Sequence, residues 1–314
     1  KKIALTSSCA TMKTRLLVLV SWVVPLRSLK VMVTGAGGRT GKLVYEQLKA
    51  WPGTSEVVAL ARSGKGLDGN YWPVDVLDDP LETLEEAMNG CDAVVLCTSA
   101  VPKIKPLSIL KLLWRKSILR RSDPGRPEFR FTQVPEEVDW LGAKKQIDAA
   151  KNVGVKHFVF VSSMGGTQPE NFLNTIGRQD DGVGGDILLW KRKAERYLVA
   201  CGMDFTIIHP GGLVDEEAGK RELLIDVDDN LLELKSRSIP RADVARICCA
   251  ALFDDRAKNK SFDVASKPLG EGTPTADPKD LFTILGDKSA DYDKFQVPDP
   301  PSILAEESLV SADL

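Results

Sequence analysis

Apolar residues along this chain gather into short continuous blocks separated by amphipathic ones. Leu29-Lys-Val-Met-Val-Thr34, Glu56-Val-Val-Ala-Leu-Ala61, Asp92-Ala-Val-Val-Leu-Cys97, Lys156-His-Phe-Val-Phe-Val-Ser162 and Asp204-Phe-Thr-Ile-Ile-His209 are dominated by Val, Ile, Leu, Ala and Phe. Blocks of this kind read as strands buried on both faces. Tyr71–Val74 is a shorter strand-like run. Between the blocks, apolar residues recur at helical spacing. Lys42–Lys49 carries Leu43, Val44 and Leu48 on one face, and Leu81–Met88, Glu136–Asn152, Ile187–Ala200 and Arg241–Phe253 follow. This alternation predicts an α/β fold, a doubly wound parallel sheet with helices on both faces. Its ligand is expected at the carboxyl ends of the strands.

The turn after the first block carries the most chemical information. Thr34-Gly-Ala-Gly-Gly-Arg-Thr-Gly41 places glycines at 35, 38 and 41 between a strand and a helix. Gly35 permits a tight turn, Gly38 lets the backbone approach a pyrophosphate, and Gly41 allows close helix packing. The free N–H groups of the first helical turn then face the phosphates. Gly37, Arg39 and Thr40 complete the predicted cradle. At the end of the second strand stands Arg62 with Ser63, where an NAD site tends to place a carboxylate. A planar guanidinium suits a 2′-phosphate, so the expected cofactor is NADP (NADPH). Asp75 is placed to receive the adenine amino group, and Thr98 and Ser99 would line the cofactor after the fourth strand.

Composition adds exclusions. The chain has 314 residues, 43% hydrophobic and 27% charged, with a net charge of −2, so it has no basic field for bulk nucleic-acid binding. Six cysteines show neither metal-ligand nor disulfide-framework spacing, which reads as a reduced compartment and no metal site. No acidic residue precedes Glu46, and the basic, hydroxyl-bearing segment 1–28 reads as a targeting leader or an extension outside the fold. Its apolar run, Leu16–Leu26, is too short to span a bilayer. The dinucleotide-binding domain is expected over 29–267, with insertions at 99–135 and 165–185 on the substrate side. A Pro- and Asp-rich stretch, 268–314, reads as an extended tail. Within the first insertion, 107–121 reads as a basic amphipathic helix suited to a membrane surface or an acidic protein partner, or as a lid over the cleft.

Taken together, TGAGGRTG (34–41), SSMGGT (162–167), ILLWKRKAE (187–195) and PGGL (210–213) resemble the short-chain dehydrogenase/reductases in their atypical, NmrA-like branch, of the plant and algal chloroplast type. The resemblance covers about 29–268 and implies a Rossmann fold, a small-molecule substrate and a plastid location. It also implies that Gly35, Gly38, Arg39, Thr40 and Gly41 hold the pyrophosphate and 2′-phosphate. Ser162 or Ser163 would lie beside the nicotinamide, Lys193 would bond its ribose, and Pro210, Gly211 and Gly212 would contact the carboxamide. Ser163 and Lys193 are thus the expected catalytic residues. The family's tyrosine, four residues before that lysine, is replaced by Leu189. Tyr45 and Lys49 match the same spacing but sit on the first helix, away from any nicotinamide.

Without that tyrosine, an alkoxide formed from a simple carbonyl lacks its proton donor. The expected activity is therefore hydride transfer to a small conjugated or quinone-like acceptor. The alternative is a non-catalytic NADP(H)-binding module that senses redox state or scaffolds a partner. His157, at the entry to its strand, reads as structural, and Lys191 as a solvated helix charge. His209, beside Pro210, is a candidate for a place near the nicotinamide.

Overall fold

The computed structural model describes residues 28–104, 107–110, 114, 129–178, 184–293, 295, 297, 299 and 300. The predicted strands assemble around β1 (Leu29–Thr34), which pairs in parallel with both β2 (Thr54–Ala61) and β4 (Ala93–Leu96). β3 (Tyr71–Pro73) lies outside β2. On the other side β7 (His157–Val161), β8 (Asp204–Pro210) and β12 (Lys260–Ser266) follow in parallel. β10 (Leu223–Asp226) closes that edge antiparallel. The order β10-β12-β8-β7-β4-β1-β2-β3 reverses direction at β1, the switch point where such sheets bind ligands.

Alternate residues of each apolar block serve opposite cores, which is why the blocks need no polar positions. Val31 and Val33 of β1 face a layer containing α1 (Arg39–Lys49), α5 (Arg241–Leu252) and α6 (Lys279–Leu285). Met32 faces the other layer, with α2 (Leu81–Met88), α3 (Ala143–Asn152) and α4 (Ile187–Ala200). Each such buried side chain contributes about 1.5–3 kcal/mol.

Several elements differ from the sequence expectation. The helix expected over 136–152 opens with a π-helical stretch, Glu136–Gly142, before α3. The insertion 99–135 returns through a small hairpin of β5 (Pro102–Ile104) and β6 (Phe129–Phe131). Of 107–121, only 107–110 and 114 are described; Leu107, Leu110 and Trp114 are more than half exposed there. β9 (Gly212–Val214) and β11 (Ser238–Pro240) form a second small pair. The stretch after 267 is not simply a tail: α6 buries Leu281, Phe282 and Leu285, and Val297 is also buried. The leader, apart from Ser28, lies outside the described residues.

Candidate functional site

The glycine turn is built for close backbone approach. Gly35 adopts φ +66, and a Cβ there would lie 2.8 Å from the Cys97 carbonyl carbon and the Thr98 nitrogen. A side chain on Gly41 would overlap the Gly35 carbonyl, so this glycine packs against the turn itself rather than only the sheet. Gly38 donates its N–H to the Gly35 carbonyl at 2.9 Å and caps α1 without a side chain. No acidic residue occupies the first turn of α1, so its N-terminal dipole is left for an anion. This turn, in which Gly35 and Gly41 leave no room for a side chain, fits a dinucleotide pyrophosphate.

Gly37 packs on the end of β2, where a Cβ would lie 3.6 Å from that of Ala61, and Arg62 emerges there. Arg62 donates to the Gln133 side-chain oxygen at 2.8 Å and stands 3.7 Å from an Asp75 carboxylate oxygen. Arg62 and Asp75, assigned separately to the 2′-phosphate and the adenine, thus lie side by side. Gln133, from the end of the insertion, is a partner that sequence reading did not single out. It also lines a cavity of about 470 Å³ with Val76, Leu77 and Leu141. Arg39 projects into solvent, 3.5 Å from Asp215, which is 2.6 Å from Arg241.

Beyond the fourth strand, Gln146 donates to the Thr98 hydroxyl at 3.1 Å, fixing the start of the next loop. A cavity of about 230 Å³ opens here, lined by Thr40, Cys97, Ser99, Ser162, Ser163, Ile187, Lys191, Pro210 and Gly211. It adjoins a wider cleft of about 850 Å³, whose walls include Met164, Phe172, Leu173, Leu232 and Phe295. Ser163, Leu173, Pro210 and Gly211 line both. A side chain on Gly211 would overlap the Arg237 carbonyl, so glycine is needed where the backbones cross. Burial pushes the Cys97 thiol up to about 12, which leaves it inert despite its place on the wall.

The lysine expected at the site is corrected by the structure. Lys193 points elsewhere: its Nζ lies 3.0 Å from Asp299 and over the rings of Trp140 and Trp190. Lys191 is the lysine on the cavity wall, buried, with its Nζ 2.8 Å from Asp139 and 5.8 Å from the Phe160 ring centre. The residue four positions before it is Ile187, also on the wall. Ile187 therefore holds, relative to Lys191, the place that Leu189 holds relative to Lys193, and both are apolar. Both serines line the cavity: Ser162 donates its hydroxyl to Glu195, and Ser163, whose hydroxyl donates to the Met164 carbonyl at 3.2 Å, is the serine at the junction with the wider cleft.

Of the two histidines, His157 is buried beside Thr206 at 2.9 Å, and burial lowers it to about 4. It is a neutral structural group. His209 faces inward, not toward the cleft. Burial alone would lower it, but Glu195 at 3.3 Å and Asp263 at 3.0 Å outweigh that and hold it up near 10. Tyr45 bonds the Asp68 carbonyl at 2.7 Å and takes no part in the cleft. Among the described residues there is no cluster able to hold a metal ion, no helix long and apolar enough to cross a membrane, and no paired cysteine.

Comparison with known proteins agrees with this geometry. A family model described as NAD(P)H-binding matches residues 35–255. The chain belongs to that NAD(P)H-binding family. Within it, the chain is an atypical, NmrA-like short-chain dehydrogenase/reductase with a Rossmann fold. An uncharacterized chloroplastic protein of Arabidopsis thaliana is 46% identical over 279 residues, covering 87% of this chain and 81% of the relative. Sanguinarine reductase of Eschscholzia californica is 43% identical over 269 residues, covering 82% and 96%. Among solved structures, an oxidoreductase from Lactococcus lactis superposes with a TM-score of 0.56 at 24% identity, covering 82% and 96%, a likeness of fold.

Proposed function

We propose that this family member is an NADPH-dependent reductase of small conjugated or quinone-like acceptors. The observation that carries the reading is the junction at Ser163, where a narrow cavity beside the glycine turn meets a wide cleft in which Met164, Phe172, Leu173, Leu232 and Phe295 stand among polar side chains. A bound nicotinamide cofactor supplies a hydride. The glycine-turn amides and the N-terminus of α1 would hold its pyrophosphate. Arg62 and Arg39 would take a 2′-phosphate, and Asp75 would receive the adenine edge. Lys191, rather than Lys193, would hold the ribose hydroxyls. Pro210–Gly212 would back the ring, while Ser163 would orient the acceptor by donating its hydroxyl hydrogen. Ile187 cannot protonate an alkoxide, which favours acceptors whose added electrons are delocalised and whose proton comes from water.

The 43% identity to a protein named sanguinarine reductase supports a reductase role. The chloroplastic names of relatives and the acid-free leader support a plastid location. The deciding experiment is NADPH oxidation across a panel of quinones, flavins and enals. Turnover of one class supports the reading. Tight NADPH binding with no turnover overturns it in favour of a non-catalytic module that senses redox state or scaffolds a partner.

Cofactor choice has a separate check. Arg62→Ala should weaken NADPH binding about tenfold or more, a loss of about 1.4 kcal/mol, with NADH little changed. Equal losses for the two cofactors in a fluorescence titration would refute NADP selectivity.

A further inference from the structure

We infer that His209 is a positioning residue whose ring closes a buried circuit of carboxylates, clamping the turn Ser162–Thr167 and so holding Ser163 at the junction of the two cavities. The inference rests on the reading that Ser163 works at the reacting end. The circuit starts and ends in that one turn. Ser162 donates its hydroxyl to Glu195. The other oxygen of Glu195 lies 3.3 Å from His209 Nε2. His209 Nδ1 is 3.0 Å from Asp263 Oδ1, and Asp263 Oδ2 accepts the Asp229 N–H at 2.7 Å. The Asp229 carboxylate then returns to the turn. It accepts the Gly165 N–H at 2.6 Å, the Thr167 N–H at 2.9 Å and the Thr167 hydroxyl at 2.6 Å.

Each link has a physical requirement that singles out the residue present. Glu195, His209, Asp229 and Asp263 are all buried, and two carboxylates at this depth need a cation between them. An imidazolium meets the need because its two N–H groups donate from opposite edges of one rigid ring. Arg192 at 3.5 Å and the Tyr292 hydroxyl at 3.1 Å also face Glu195, and the Ser261 hydroxyl is 3.4 Å from His209. Asp228 lines the same small internal space.

The turn itself has little reason to keep one shape. Gly165 sits at φ +99, and Gly166 follows it. Asp228 and Asp229 are both left-handed, at φ 59 and 63, a costly pair that persists only where surrounding bonds fix it. Ser162 and Ser163 are neighbours, so loss of the inward clamp would let either hydroxyl turn to the cavity.

The test uses the full chain and three variants: His209→Gln, His209→Arg and Asp229→Asn. Hydrogen–deuterium exchange is followed in peptides covering 162–168 and in β1 and β4, alongside NADPH titration. His209→Gln and Asp229→Asn should speed exchange of the Gly165 and Thr167 amides about tenfold or more, leaving β1 and β4 protected. His209→Arg, which keeps a cation between the carboxylates, should retain the protection. Because His209→Gln can lose the fold outright, Asp229→Asn opens the circuit at its other end without stranding a charge. With an acceptor that the protein turns over, kcat should fall in the opened variants while NADPH affinity holds. Unchanged exchange in the turn overturns the proposal, and so does a rise spread evenly over the sheet. If the wild-type protein reduces no acceptor, the reductase reading falls, and exchange alone still decides the circuit.

Discussion

Lys191 and Lys193 stand two positions apart on α4, and a helix turns about 100° per residue, so they leave it on nearly opposite sides. Lys191 meets Asp139 on the cavity wall, whereas Lys193 meets Asp299 at the surface. Their substitutions should separate cleanly. Lys191→Met strands the buried Asp139 carboxylate and should cost about 3–5 kcal/mol of stability, together with cofactor affinity. Lys193→Met removes a part-exposed pair and should cost less than about 1 kcal/mol, with NADPH binding unaltered. Urea unfolding and cofactor titration of both variants check this; equal effects would contradict the placement. The glycine turn was legible in sequence because much of its requirement is local: Gly41 is demanded by the Gly35 carbonyl within the same turn, and Gly35 by its own left-handed backbone, although the backbone that crowds Gly35 comes from Cys97 and Thr98. Which lysine faces the cavity was not, because it depends on where α4 begins. Asp186, at φ 54, sets that start, and the choice is sealed by Asp139, far off in the chain.

At the scale of elements, α2 and α4 have the bounds that periodicity predicts, while β12 went unread. Its alternation Ser261-Phe-Asp-Val264 looks half solvated, yet every one of these residues is buried, Ser261 and Asp263 beside His209. A polar strand in a core is invisible until its partner is known. The same holds for the segment after 290. Its Asp- and Pro-rich composition reads as solvated chain, but Tyr292 lays its ring 3.8 Å from the Arg192 guanidinium and bonds Glu195 and Ser261. Truncation after Ala290 should therefore lower the melting temperature by several degrees, since Arg192 and Glu195 lose their cover. A melting temperature within a degree of the full chain would show the segment to be dispensable.

For the whole molecule, the two histidines set opposite edges of one stability window. His157 is held near 4 by burial, below its unfolded value, so the folded state binds fewer protons and stability is lost as pH falls from about 6.5 toward 4. His209 is held near 10, so its contribution is complete below about 6.5 and is lost as pH rises toward 10. Thermal unfolding across pH should show a maximum near pH 6.5 with decline on both sides. His209→Arg should flatten the alkaline limb, and His157→Gln the acid limb; a profile flat from pH 5 to 9 in the wild-type protein would contradict both assignments.

The clamp around Ser163 also has a consequence for the order in which the protein is made. Although α5, on which α1 packs, follows only at 241–252, the glycine turn and the strands β1, β2 and β4 that frame it are synthesised by residue 96. The turn at 162–167 is synthesised next, but its anchors, Asp229, Asp263 and Tyr292, emerge up to about 130 residues later. Domains begin to fold from the N-terminus during synthesis. The glycine turn is therefore made early, and the residues that fix both its helix and the turn around Ser163 are made late.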